Sequence, residues 1–287
     1  MIGDLKEKVA TTARSRAVKA GLVPRRAYQH YFIEDEGLHS RIHLQNYWST
    51  FWPQFDEPAT AKVEIVAASG RRIGRVVRSV PRFGSMFLEL RDVLAELGSG
   101  ETEGTVAIDL EPPRSVVGEL HDLPKPLEAE INTPYWMAYY DDVENYMYVH
   151  SIDKLDGAVF GTTKPVEAIM ALSRSEAGGS WRSWRLLEID RLGELQIVAI
   201  NHSTRPGSST VGFYAADDGR PLWERRLDFQ SRQLHRVGVS GDEIRAALGD
   251  EGGTRLGRIG MDPLLTGNGK PYVLMRYGGG PLSLHHG

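Results

Sequence analysis

Cysteine is absent from the 287 residues, so disulfides, thiolate zinc sites and a cysteine nucleophile are excluded at once. Long apolar runs are absent as well. No stretch approaches the ~20 residues of a membrane span, and the first residues hold no hydrophobic block that would serve as an export signal, so a cytoplasmic location is expected. A basic surplus is also lacking: 34 Lys and Arg stand against 38 Asp and Glu, a formal net charge of −4.

The chain also lacks the sequence signatures of several common enzyme classes. Gly267-Asn268-Gly269-Lys270 resembles a phosphate loop only in part, because Pro271 follows the lysine where Ser or Thr is required; it reads as an Asn-Gly hairpin turn. Gly253, Gly257 and Gly260 do not fit the dinucleotide fingerprint. No Gly-x-Ser-x-Gly elbow and no His-Glu-x-x-His helix occurs.

What is present begins with an uneven charge. Residues 1–26 carry seven basic and two acidic side chains, a net of plus five, which leaves minus nine on the remainder. An acidic body argues against nucleic-acid binding, which needs a basic face to displace counterions. Ile2, Leu5, Val9, Ala13, Ala17 and Ala20 recur at helical spacing before Gly21 and Pro24. This predicts a basic amphipathic helix that either docks on the acidic body or touches an anionic membrane surface.

Beyond Tyr28 the texture changes to short runs rich in Val, Ile, Tyr and Phe, broken by turn residues, as in an all-β fold. Landmarks then recur in order. Ser69-Gly70 and Asp218-Gly219 read as hairpin turns, and Gly104-Thr105 and Gly253-Thr254 each open a further strand. One short helix is predicted per half, at Asp92–Leu97 before Gly98 and at Glu243–Leu248 before Gly249, the second with a capping box formed by Ser240 and Glu243. Asn46-Tyr47-Trp48-Ser49-Thr50 parallels Asn201-His202-Ser203-Thr204, and Pro134-Tyr135 parallels Pro271-Tyr272. The expectation is a mostly β chain: a tandem repeat of two β-sandwich domains, immunoglobulin- or jelly-roll-like, of seven to eight strands each. Their boundaries are expected at 27–155 and 183–287. A structured connector at 156–182 is expected to hold a short helix, Val166–Leu172, and to pack at the junction with Trp181 and Trp184.

Two constellations could carry function. Aromatic residues cluster in the first half, and in the strand Asn145–His150 alternation puts Met147 and Val149 inward and Tyr146, Tyr148 and His150 outward. With Trp48, Tyr139 and the matched asparagines Asn46 and Asn201, these form a candidate face for a polar ligand such as a carbohydrate, or for a protein partner or second protomer. The other is histidine placement: His39 and His43 share one strand face, and His202, His285 and His286 bound the second half. Converging imidazoles would hold a divalent metal such as zinc in a histidine-centred enzyme. The leading expectation is a non-catalytic binding or assembly module without a cofactor; the metal enzyme and a membrane-peripheral accessory protein are the rivals.

Overall fold

The computed structural model describes residues 28–35, 37–46, 48–111, 113, 115–116, 135–143, 145–150, 180–202, 206–249, 255–265 and 270–286. The expected basic helix of residues 1–26, the connector helix at 166–172, Gly253 and the Gly267–Asn268 turn lie outside these residues. No helix among the described residues is long and apolar enough to cross a membrane.

The protein is mostly β, as the Val, Ile and aromatic enrichment of its short runs requires. The first half runs β1 (Tyr28–Ile33), β2 (His39–Gln45), α1 (Trp48–Phe51), β3 (Ala59–Ala67), β4 (Arg72–Val80), β5 (Ser85–Glu89), α2 (Leu90–Glu96), β6 (Glu103–Glu111), β7 (Tyr135–Tyr140) and β8 (Tyr146–His150). Its strands make two sheets, in the orders β1-β6-β3-β4 and β5-β2-β7-β8. The second half runs β9 (Trp181–Arg182), β10 (Leu187–Glu188), β11 (Leu192–Ile200), β12 (Gly207–Ala215), β13 (Pro221–Phe229), β14 (Leu234–Ser240), α3 (Gly241–Leu248), β15 (Leu256–Asp262), β16 (Tyr272–Tyr277) and β17 (Leu282–His286). Its sheets are β10-β15-β12-β13, with β9 also on β15, and β14-β11-β16-β17. Two compact units result: Met1–Val66, Arg72–Tyr139 and Tyr148–Ile169 form one, and Ala67–Arg71, Tyr140–Met147 and Met170–Gly287 the other.

In the first unit β2 alternates strictly. Ser40, Ile42 and Leu44 are buried and His39, Arg41, His43 and Gln45 are half-buried on the opposite face, which is what a sheet covered on one side demands. β1 shows no such alternation: His30, Tyr31, Phe32 and Ile33 are all buried. At the end of the other sheet, β4 presents Arg72, Arg75 and Arg78, and the first two of these grip Glu64 of neighbouring β3.

The second unit closes around Leu195, Ile197 and Ala199 of β11, Val211 and Phe213 of β12, Ile259 and Met261 of β15, and Val273 and Met275 of β16. Helix α3 begins as the sequence predicts: the Ser240 hydroxyl accepts from the Glu243 N–H, and the Glu243 carboxylate accepts from the Ser240 N–H at 3.0 Å. This reciprocal cap is worth about 1 kcal/mol. Gly241 lies so close to the Leu192 carbonyl that a Cβ would fall 1.6 Å from its oxygen. Arg245, one turn on, donates to the carbonyls of Ile189, Asp190 and Leu192 and so fixes the entry of β11. The predicted hairpin turns are present, with Gly70 at φ +86° and Gly219 at φ +73°, backbone states that favour glycine.

Candidate functional site

The outward face of β2 is where polar and aromatic chemistry gathers. Antiparallel pairing with β5 sets His43 opposite Phe87 and Arg41 opposite Glu89, and such cross-strand partners interact directly. The His43 and Phe87 rings are 4.5 Å apart at a 59° tilt. The Tyr148 ring also meets His43, at 5.6 Å and a 78° interplanar angle. That contact spans β7, whose small residue Ala138 is wholly buried. The result is a row, Phe87–His43–Tyr148, in which Phe87 is 59% and Tyr148 55% exposed. Exposed rings gathered in one patch, unlike an isolated exposed side chain, are a feature of binding surfaces.

An ion pair lies beside the row. Arg41 donates from Nε to a Glu89 carboxylate oxygen, and its guanidinium carbon sits 5.8 Å from the Phe87 ring centre. His43 Nε2 is buried and has no hydrogen-bond partner among the described residues. Burial first, and the Arg41 charge second, push the His43 pKa below its ordinary value, with Glu89 opposing. The imidazole is therefore neutral at neutral pH.

The predicted outward pair on β8 is in place. Tyr148 belongs to the row, and Tyr146, 37% exposed, stacks on Tyr140 at 5.3 Å. Met147 and Val149 are less exposed, as the alternation requires. The side chain of His150 lies outside the described residues. The Asp141 carboxylate accepts from the Val143 and Asn145 N–H groups and from the Asn145 side chain, and so serves its own turn.

Trp48 and Tyr139 do not join the exposed face. Trp48, placed on that face by the sequence, is 1% exposed and opens the helical turn Trp48–Phe51. Tyr139 faces the core and donates its hydroxyl to the Tyr31 carbonyl at 2.6 Å. Asn46 and Asn201 are buried too, and each ties down a turn. Asn46 donates its backbone N–H to the Gly84 carbonyl and its amide to the Val80 carbonyl. Asn201 donates likewise to the Gln233 and Gln230 carbonyls. Phe87, Arg41 and Glu89 were not singled out in the sequence, although Ser85–Glu89 does alternate apolar-inward around Leu88.

The histidines do not assemble. His39 pairs with Glu34 at 3.0 Å; burial raises the Glu34 pKa, while Ser40 and His39 hold it down. His202 is buried, and desolvation lowers its pKa to about 4. His285 receives Arg185 at 2.6 Å, and the side chain of His286 lies outside the described residues. Among the described residues no three His, Asp or Glu donors are placed to hold a metal ion. Trp181 packs against the core of the second unit, whereas Trp184, expected to pack, is 80% exposed. Ser183 pins that loop, donating its hydroxyl to the Arg185 carbonyl and accepting from the Ile259 N–H.

No protein-family model and no curated protein matches the chain. Among solved structures it is similar to a putative β-galactosidase from Bacteroides fragilis, at 10% identity and a TM-score of 0.18, covering 90% of this chain and 32% of that one. It is similar also to a β-D-mannosidase from Dictyoglomus thermophilum, at 11% identity and a TM-score of 0.17, covering 78% of this chain and 27% of that one. A β-glucuronidase from glycoside hydrolase family 2 gives 11% and 0.17, with 90% and 23% covered. The chain spans a third or less of each, and at these TM-scores the likeness carries no argument about what it does.

Proposed function

We propose that this chain is a non-catalytic recognition module whose binding surface is the outward face of the β5-β2-β7-β8 sheet. One observation carries the reading: Phe87 and Tyr148, each more than half exposed, both pack against the His43 ring and so form one row. Burying two such rings against a partner removes apolar area from water at ~25 cal/mol per Å², which is the driving force of a recognition surface. A polar ligand or a protein partner, including a second protomer, fits this role. The rival reading, a histidine-centred metal enzyme, draws no support from the described donors.

We also infer that the two halves, bounded at 27–155 and 183–287, descend from one duplicated sandwich. Several correspondences support this. The order β5-β2-β7-β8 maps onto β14-β11-β16-β17, and β6-β3-β4 onto β15-β12-β13. Asn46 and Asn201 follow corresponding strands, and the turns that they tie down each hold a non-glycine residue at positive φ, Phe83 at 49° and Arg232 at 56°.

The double variant Phe87→Ala/Tyr148→Ala tests the recognition reading. Wild type and variant are compared for retention on immobilised polysaccharides and for self-association by sedimentation velocity. The variant is expected to lose whichever of the two the wild type shows while keeping its thermal midpoint. Identical behaviour in both assays overturns the reading.

A further inference from the structure

Three properties of the Phe87–His43–Tyr148 row narrow the chemistry of what lies on it. Spacing is the first. With both packed against His43, the outer rings are at most about 10 Å apart. Two exposed rings that far apart are bridged by a chain of several sugar rings and not by one small ring, and each offers an apolar surface to the C–H face of a pyranose.

Polarity is the second. Arg41 and Glu89 already neutralise each other, so beside the aromatic faces stand donors and acceptors with no net charge. Hydroxyl groups, which both donate and accept, satisfy such a pair. A phosphate or carboxylate would meet Glu89, and an ammonium group would meet Arg41. The third is the floor. His43 is neutral at neutral pH for the reasons of burial and charge given above, so it adds no ionic preference.

We propose that this face binds a neutral oligosaccharide laid across the strands, one sugar ring on Phe87 and a further ring of the same chain on Tyr148, with hydroxyls bonded to the Arg41–Glu89 pair. The proposal rests on the recognition reading and goes further by naming the ligand class. An acidic glycan and a protein partner are the competing occupants.

The test titrates the full chain by calorimetry with cellohexaose, xylohexaose, mannohexaose and maltohexaose, with a galacturonic-acid hexamer and a heparin hexasaccharide as charged probes, and with glucose as the short probe. At least one neutral hexamer is expected to bind saturably, unchanged by added salt, with glucose silent at equal concentration. Phe87→Ala, Tyr148→Ala and Glu89→Gln are each expected to weaken that binding about tenfold or more, with thermal midpoints verifying the fold. Binding of the charged probes alone, binding abolished by salt, or no binding by any probe overturns the proposal. In the last case sedimentation separates the two claims. If Phe87→Ala/Tyr148→Ala changes the association state, the face is a protein contact and only the sugar assignment falls; if it changes nothing, the recognition reading falls with it.

Discussion

Asn201 donates its side-chain amide to the Gln230 carbonyl at 2.8 Å, while its own backbone N–H reaches the Gln233 carbonyl at 2.8 Å. One buried side chain thus closes the turn between β13 and β14. Asn201→Leu is expected to cost about 1–3 kcal/mol, because it strands a buried carbonyl and puts an apolar group into a polar turn. Chemical denaturation of wild type and variant measures it, and a change below about 0.5 kcal/mol would show that the tie is dispensable.

The buried His202 makes stability fall in acid. Its folded pKa, about 4, lies below the ordinary histidine value of 6.5, so the unfolded chain binds the proton more readily. Its contribution is complete above pH 6.5 and is lost as the pH falls through 4, to an extent on the order of 3 kcal/mol. Glu34, whose pKa is raised, acts in the opposite sense: its contribution is present in acid and lost as the pH rises. Comparing wild type with His202→Leu cancels Glu34. The variant is expected to be less stable at pH 7, yet with a flatter stability profile between pH 6.5 and 4. An unchanged slope would contradict this.

Two glycines one turn of chain apart should respond differently to the same methyl group. Gly241→Ala drives a Cβ into the Leu192 carbonyl and is expected to destabilise by at least about 2 kcal/mol, since the obstacle is backbone. Gly238→Ala meets nothing nearer than 3.5 Å and is expected to change stability by less than about 1 kcal/mol. Thermal unfolding of both variants side by side checks the contrast.

The aromatic residues divide into two groups by the same measurement. Phe87→Ala and Tyr148→Ala are expected to lose less than about 1.5 kcal/mol, because their rings are mostly in water. Trp48→Ala is expected to lose about 3–5 kcal/mol, and Tyr139→Phe about 1 kcal/mol through the abandoned Tyr31 carbonyl. A reversed order would mean that the outward face has been assigned to the wrong side of the sheet.

Local signals in the chain were readable where a single element determines the outcome. The Ser240–Glu243 cap needs only three residues of sequence separation, and the exposure of Tyr146 and Tyr148 follows from the period of one strand. The turns at Gly70 and Gly219 needed only the residue that tolerates positive φ. The burial of Trp48 was not readable, because the run from Trp48 to Phe51 has the same composition whether it extends or coils into α1. The Phe87–His43–Tyr148 row was hidden for a different reason. Phe87 meets His43 only through the register of β2 with β5, a pairing of distant segments that no short window contains. The described histidines do not converge, because closeness in strand order does not aim side chains at one point.

The arginines of β4 have a meaning for how this protein behaves in a crowded solution. A strand at the end of a sheet leaves half of its backbone groups ready to recruit a strand from another molecule, the first step towards fibrous aggregates. Arg72, Arg75 and Arg78, two of them tethered to Glu64 and the third to Glu96, line that border with bulky, hydrated charge and so keep a second molecule from zipping onto it. Colloidal durability is in this sense written into the rim of the sheet, away from the face proposed to recognise a ligand.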